Sequence, residues 1–291
     1  MSQSVPTLIQ AALLGVVQGL TEFLPVSSSA HLILARLFFG LDPDRFGLPF
    51  DVAIHIGTLL AVVVYFRRDL AAMLQSLPQL FHPGVARIGQ AVSIERQDVR
   101  SGPEAARLIW MLAVGSIPAV IVGLFFGDAI EEGFRSPAVT AATLSLGAIG
   151  LLAAERIGSQ QRNEESLTMA EGFLIGCAQA AALVPGVSRS GATITVAVLL
   201  GLRRAEAARF TFLLGIIAIF GAAVLKFPDM LAVGLGGSAA GLFAVGIISS
   251  AIVGYLAVKY FVQFLASHSL DVFAGYRLAL AAAVVVWMVR H

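Results

Sequence analysis

The chain has 291 residues, 58% hydrophobic and only 13% charged, with a formal net charge of +1. That composition excludes a soluble globular domain. The arginines are scattered rather than striped, which excludes a nucleic-acid footprint, and the single cysteine, Cys177, excludes an internal disulfide framework.

Residues 1–6 lack the basic n-region of a cleaved signal, so membrane insertion is expected to use the mature segments. Apolar segments at 8–24 and 28–40 come first and break at Pro25. Each falls short of the ~20 residues that ~30 Å of hydrocarbon requires. A span at 50–66, short enough to recruit its flanks, is followed by the arginine-bearing loop 67–107. Spans at 108–127 and 137–154 flank an acidic loop, 128–136. A polar linker with Arg156, Arg162, Glu164 and Glu165 leads to a second pair of short segments, 169–184 and 189–202, broken at Pro185-Gly186. Spans at 210–227, 239–264 and 273–289 follow. Half-length apolar segments joined by a polar turn are the pattern of re-entrant hairpins, whose backbone must be enclosed by protein or a water-filled cavity. The expected fold is an all-α polytopic membrane protein, a single membrane domain over 1–291 with six transmembrane helices and two re-entrant helical hairpins.

The order hairpin, span, span, span occurs twice. Ala113–Gly123 and Ala244–Gly254 share seven of eleven residues. The spacing therefore predicts two halves, 1–157 and 167–291. Loop arginines set the orientation. Arg67, Arg68, Arg87, Arg96, Arg100 and Arg107 place loop 67–107 in the cytoplasm. Asp128, Glu131 and Glu132, with only Arg135 against them, place loop 128–136 outside. Alternation then puts Arg156, Arg162, Arg203, Arg204 and Arg209 inside. Half one makes three crossings, so half two is inserted upside down: an inverted repeat, with a site expected near the midplane on discontinuous helices.

Two Ser-rich turns interrupt the short pairs, Gln18-Gly-Leu-Thr-Glu22-Phe-Leu-Pro25-Val-Ser27-Ser28-Ser29-Ala-His31 and Pro185-Gly186-Val-Ser188-Arg189-Ser190-Gly-Ala-Thr193. Ionisable groups at membrane depth are costly and mark function by default. Gln18 and Glu22 share a helical face and suit a hard divalent cation, Mg²⁺ or Ca²⁺; a carboxylate satisfied by nearby hydroxyls is the alternative. Ser27 and Ser28 begin the next helix, where one hydroxyl caps free amides. His31, three residues past Ser28, can lie on the same face and activate a serine, or be a satisfied core residue. Ser188, Arg189 and Ser190 at a helix N-terminus favour an oxyanion, above all phosphate. Thr193 either shares that face or bonds back to its own helix. Arg277 either reaches inward as a second phosphate donor or snorkels to an interface. Asp51 and His55 face one side at the start of a span and can line an entrance; Thr211 reads as packing and Lys226 as interface.

These motifs, in this order and nearly end to end, resemble the bacterial undecaprenyl-diphosphate phosphatases of the bacitracin-resistance type. Ala30 stands where that family's familiar motif has Gly, and Gln18 where it has Glu or Gln. The resemblance implies an integral phosphatase of the bacterial cytoplasmic (inner) membrane. It would convert undecaprenyl diphosphate to the monophosphate carrier used in peptidoglycan synthesis and confer bacitracin resistance. It also implies dependence on a divalent cation and a site opening to the periplasmic face. Glu22 resembles the family's essential acid, His31 its catalytic histidine, Ser27 or Ser28 its nucleophile and Arg189 its phosphate clamp. Partners implied are the bilayer and the lipid, with a homodimer left open. A lipid-phosphate transporter or flippase using the same anion site is the competing class.

Overall fold

The computed structural model describes residues 5–81, 103–232 and 238–290. Arg87, Arg96 and Arg100, which set the orientation of loop 67–107, lie outside them.

The described chain is helical throughout: α1 (Val5–Thr21), α2 (Ser28–Phe39), α3 (Pro43–Phe46), α4 (Leu48–Tyr65), α5 (Arg67–Phe81), α6 (Pro103–Phe134), α7 (Pro137–Ile157), a 3-10 turn at Glu164–Ser166, α8 (Met169–Ala181), α9 (Arg189–Leu199), α10 (Arg204–Ala232), α11 (Ser238–Leu265) and α12 (Asp271–Arg290). Among the described residues the only β contact is an isolated bridge between Arg162 and Leu202. Six helices, α4, α6, α7, α10, α11 and α12, are long and apolar enough to cross a bilayer. Their outward faces carry Phe125, Phe126, Leu146, Ile149, Phe220, Ile248, Ile252 and Val286 in the open. An apolar exterior on apolar helices is a surface made for lipid. The protein is a multi-pass membrane protein.

The four short helices fall where the sequence places its half-length segments, α1 and α2 around one Ser-rich turn, α8 and α9 around the other. α5 is the departure from expectation. Residues 67–81 read as loop, yet Leu70, Met73, Leu74 and Leu77 recur at helical spacing on an amphipathic helix beside α6, with Leu70 and Met73 packed into the core and Leu74 and Leu77 left exposed.

Two of the short helices dock on long ones distant in sequence, α1 on α11 and α8 on α6. Small residues let these backbones touch. A Cβ at Gly15 would strike Ser249 and the Gly246 carbonyl, and one at Gly176 would land on the Gly115 carbonyl. α4 packs between α11 and α10, and α12 lies along α7. The two Ser-rich turns therefore meet inside the bundle, held from several sides.

Candidate active site

Each turn ends in a serine N-cap with an unusual backbone. Ser27 has φ 73° and Ser188 φ 72°, a region costly for a residue with a Cβ and retained where surroundings over-determine it. Ser27 Oγ accepts from the Ala30 amide at 3.4 Å, and Ser188 Oγ from the Gly191 amide at 3.1 Å. Ser29 Oγ accepts from the Gly186 amide at 3.3 Å, and Ser190 donates to the Leu24 carbonyl at 2.9 Å. The two turns are thus bonded directly to one another.

Glu22, at the end of α1, is the centre of the polar cluster. Its Oε1 accepts from Arg189 Nη2 at 2.7 Å. Its Oε2 accepts from Ser28 Oγ at 2.6 Å and from the Gln18 amide at 2.9 Å. His55 Nε2 stands 3.5 Å from the same oxygen. The Nδ1 of His55 donates to the Asp51 carbonyl at 2.7 Å, which fixes the ring so that Nε2 faces Glu22. Arg189 is steadied by a second bond, Nη1 to the Gly215 carbonyl at 2.8 Å. Taking a charge out of water is tolerable here because it is paired and hydrogen-bonded.

A cavity of about 350 Å³ opens over this cluster, within the range of small-ligand sites. Glu22, Ser27, Ser28, Ser188 and Arg189 line it. So do Asp51 and His55, in keeping with their expected place at an entrance. Ala182, Leu183, Ala218, Ile219, Ala222 and Ala223 form an apolar wall.

Four expected site residues point elsewhere. His31 does not pair with Ser28: its Nδ1 donates to the Ser27 carbonyl at 2.7 Å and its Nε2 accepts from the Tyr276 hydroxyl at 2.7 Å. The ring is tied back onto its own helix turn, while Ser28 turns to Glu22. Arg277 is fully buried and outside the cavity lining. It donates to the carbonyls of Leu144, Pro25, Thr143, Gly186 and Val187 at 3.0–3.3 Å, pinning both turns to α7 rather than reaching for phosphate. Thr193 bonds back to the Arg189 carbonyl at 2.7 Å. Ser190 is buried against Leu24.

Gln18 and Glu22 stand side by side, as their spacing predicts, with Gln18 Oε1 buried and outside any hydrogen bond among the described residues. Glu22 is a lone carboxylate already answered by Arg189, and Gln18 turns its amide donor, not its oxygen, toward it. No group of three His, Cys, Asp or Glu suited to a metal occurs among the described residues. The cavity also holds residues the sequence does not single out. Arg135, from the α6–α7 connection, is one. Lys226, expected at an interface, also lines the cavity and donates to Asp128 at 3.1 Å.

The family described as bacitracin resistance protein BacA matches residues 11–283. A protein named undecaprenyl-diphosphatase from Rubrobacter xylanophilus is 50% identical over 277 residues, covering 95% of this chain and 97% of its own. Another of that name, from Moorella thermoacetica, is 43% identical over 288 residues, covering 98% and 100%. A third, from Alcanivorax borkumensis, is 44% identical over 280 residues, covering 96% and 98%. Matched across nearly its whole length, the chain belongs to the bacitracin resistance protein BacA family.

Proposed function

We infer that this protein is a membrane undecaprenyl-diphosphatase, hydrolysing undecaprenyl diphosphate to undecaprenyl phosphate and phosphate. It recycles the carrier lipid and thereby confers bacitracin resistance. The observation that carries the chemistry is the Ser28 hydroxyl held 2.6 Å from Glu22 and beside Arg189 in one cavity. Phosphoryl transfer asks mainly for positioning and charge stabilisation. Ser28 Oγ attacks the terminal phosphorus and passes its proton to Glu22 Oε2, and Arg189 steadies the equatorial oxygens. The bridging P–O bond breaks and undecaprenyl phosphate leaves. Water then attacks the phosphoserine, and the proton on Glu22 returns to Ser28 as phosphate departs. Glu22 thus takes the base role that spacing alone suggests for His31. The prenyl chain lies along the apolar wall of α8 and α10.

The site opens outward in this reading. Its mouth is formed by Leu48 at the start of α4, Arg135 on the acidic connection and Lys226 near the end of α10. Arg67, Arg107, Arg156, Arg162 and Arg203 belong to the opposite ends of these helices, the side that positive residues keep in the cytoplasm. We also propose that halves 1–157 and 167–291 form an inverted repeat. Support comes from the matched turns at Ser27 and Ser188 and from the glycine contacts. Gly15 meets the Gly246 carbonyl as Gly176 meets that of Gly115, and these two acceptors hold the same place in the matched eleven-residue segments. Such repeats are also a transport architecture, which gives the carrier reading its one foothold.

The test is phosphate release from undecaprenyl diphosphate by purified native protein and by Ser28→Ala, Glu22→Gln and Arg189→Ala. Turnover lost in all three, with thermal melting retained, is the expected result. Lipid binding without release by well-folded native protein would move the assignment to a carrier.

A further inference from the structure

The outer end of the cavity holds a second carboxylate–guanidinium cluster that phosphoryl transfer to Ser28 does not use. Asp51, buried in the first turn of α4, lies between two arginines. Arg36 of α2 bonds its Oδ1, and Arg135 donates to its Oδ2 at 3.4 Å. Arg36 is outside the cavity lining with its side chain 16% exposed, whereas Arg135 lines the cavity and is 36% exposed. Asp51 therefore keeps one guanidinium when the other moves away. That matters because a buried carboxylate stripped of its countercharge is strongly destabilising.

Two arginines thus face one cavity, each seated on a carboxylate, Arg189 on Glu22 at 2.7 Å and Arg135 on Asp51 at 3.4 Å. A diphosphate brings two phosphoryl groups. Arg189 shares Glu22 with Ser28 and attends the phosphorus under attack. The other phosphate, which departs with the prenyl chain, gains charge as the bridging bond breaks and needs a cation of its own. Lys226 lines the same end, but Asp128 engages it at 3.1 Å. An ammonium is also a point charge, whereas the planar guanidinium fork matches two phosphate oxygens at once.

We propose that Arg135 is the ligand of the non-transferred phosphate, exchanging Asp51 for the incoming diphosphate while Asp51 stays on Arg36. The proposal rests on the phosphatase reading above. In it, Asp51 competes with the substrate for Arg135, so removing the acid and removing the base act in opposite directions.

The experiment measures phosphate release from undecaprenyl diphosphate by full-length native protein, Arg135→Gln, Arg135→Lys and Asp51→Asn, with a thermal melt of each. Arg135→Gln is expected to raise KM about tenfold, the ~1.4 kcal/mol of one charge-assisted hydrogen bond. Arg135→Lys, which keeps the charge and loses the fork, falls between it and native. Asp51→Asn lowers KM, and inhibition by added undecaprenyl phosphate tightens with it. If the pair only staples α4 to the α6–α7 connection, both substitutions move KM the same way, and that result overturns the proposal. An unchanged KM in Arg135→Gln overturns it as well, as does a lysine variant no better than the glutamine one. The two arginine variants decide the matter without Asp51→Asn should that chain melt too low to assay. No release by well-folded native protein overturns the phosphatase reading and this proposal together, whereas native turnover with an indifferent Arg135 overturns the proposal alone.

Discussion

Replacing Arg277 by methionine tests whether that arginine holds the site or takes part in it. Its guanidinium is fully buried and donates five bonds, to Leu144, Pro25, Thr143, Gly186 and Val187. Methionine keeps an apolar stem of similar reach and leaves all five carbonyls without this donor. A buried carbonyl deprived of its partner costs ~1 kcal/mol or more, so the loss is about 5 kcal/mol. At ~2–4 °C per kcal/mol for a chain of this order, melting falls by roughly 10–20 °C. Lysine, with three donors on one nitrogen, recovers only part. The assay is thermal melting in detergent beside phosphate release at a temperature where the variant is still folded. Melting like the native protein together with a raised KM would refute the argument and return Arg277 to the substrate.

Gly215→Ala places a Cβ 3.1 Å from Cζ and Nη1 of Arg189 and 3.3 Å from Nη2. The guanidinium must give by a few tenths of an ångström against Glu22, and kcat/KM falls about tenfold; unchanged turnover would show that Arg189 needs no such exact seat. Glu171, at the start of α8, has its pKa lowered from 4.5 to about 2, chiefly by the Arg162 guanidinium bonded to both its oxygens and then by Thr168. A depressed folded pKa contributes stability that is complete above pH 4.5 and drains away as pH falls toward 2. The melting temperature should drop across that window in native protein, with a smaller slope in Glu171→Gln. Gln18→Glu sets a second carboxylate beside Glu22, and ligand charge governs hard-cation affinity. The Mg²⁺ concentration for half-maximal turnover is expected to fall about tenfold relative to native protein; identical titrations would rule out an ion at that pair.

The membrane architecture is legible because hydropathy at bilayer length is a strong local signal. The span expected at 50–66 is Leu48–Tyr65, and those at 137–154 and 239–264 are Pro137–Ile157 and Ser238–Leu265. Pro25 and Pro185-Gly186 mark the breaks between short helices for equally local reasons. The site is only half legible. Glu22, Ser28 and Arg189 converge as the motifs suggest, but the spacing of Ser28 and His31 is compatible with a pair that the backbone at Ser27 does not make. The ring binds the Ser27 carbonyl instead. Arg277 is opaque to sequence because its acceptors come from three distant stretches of chain. Arg135 had a faint signal, the lone arginine of an acidic connection, yet only the fold brings it to Asp51, 84 residues away in sequence. α5 was within reach, since its apolar residues recur every three or four positions between the charged ones.

The docking of α1 on α11 has a consequence for biosynthesis. α1 ends at Thr21 and α11 begins at Ser238, and a ribosome adding ~5–20 residues per second needs roughly 10–40 s to cover that interval. During that time α1 has been made without α11, its main docking surface, and until residue 189 is added Glu22 has no Arg189 to neutralise it. A short apolar helix ending in a bare carboxylate is a poor membrane insert. The first segment translated must therefore wait at the interface, or in the care of the insertion machinery, and is among the last to reach its place.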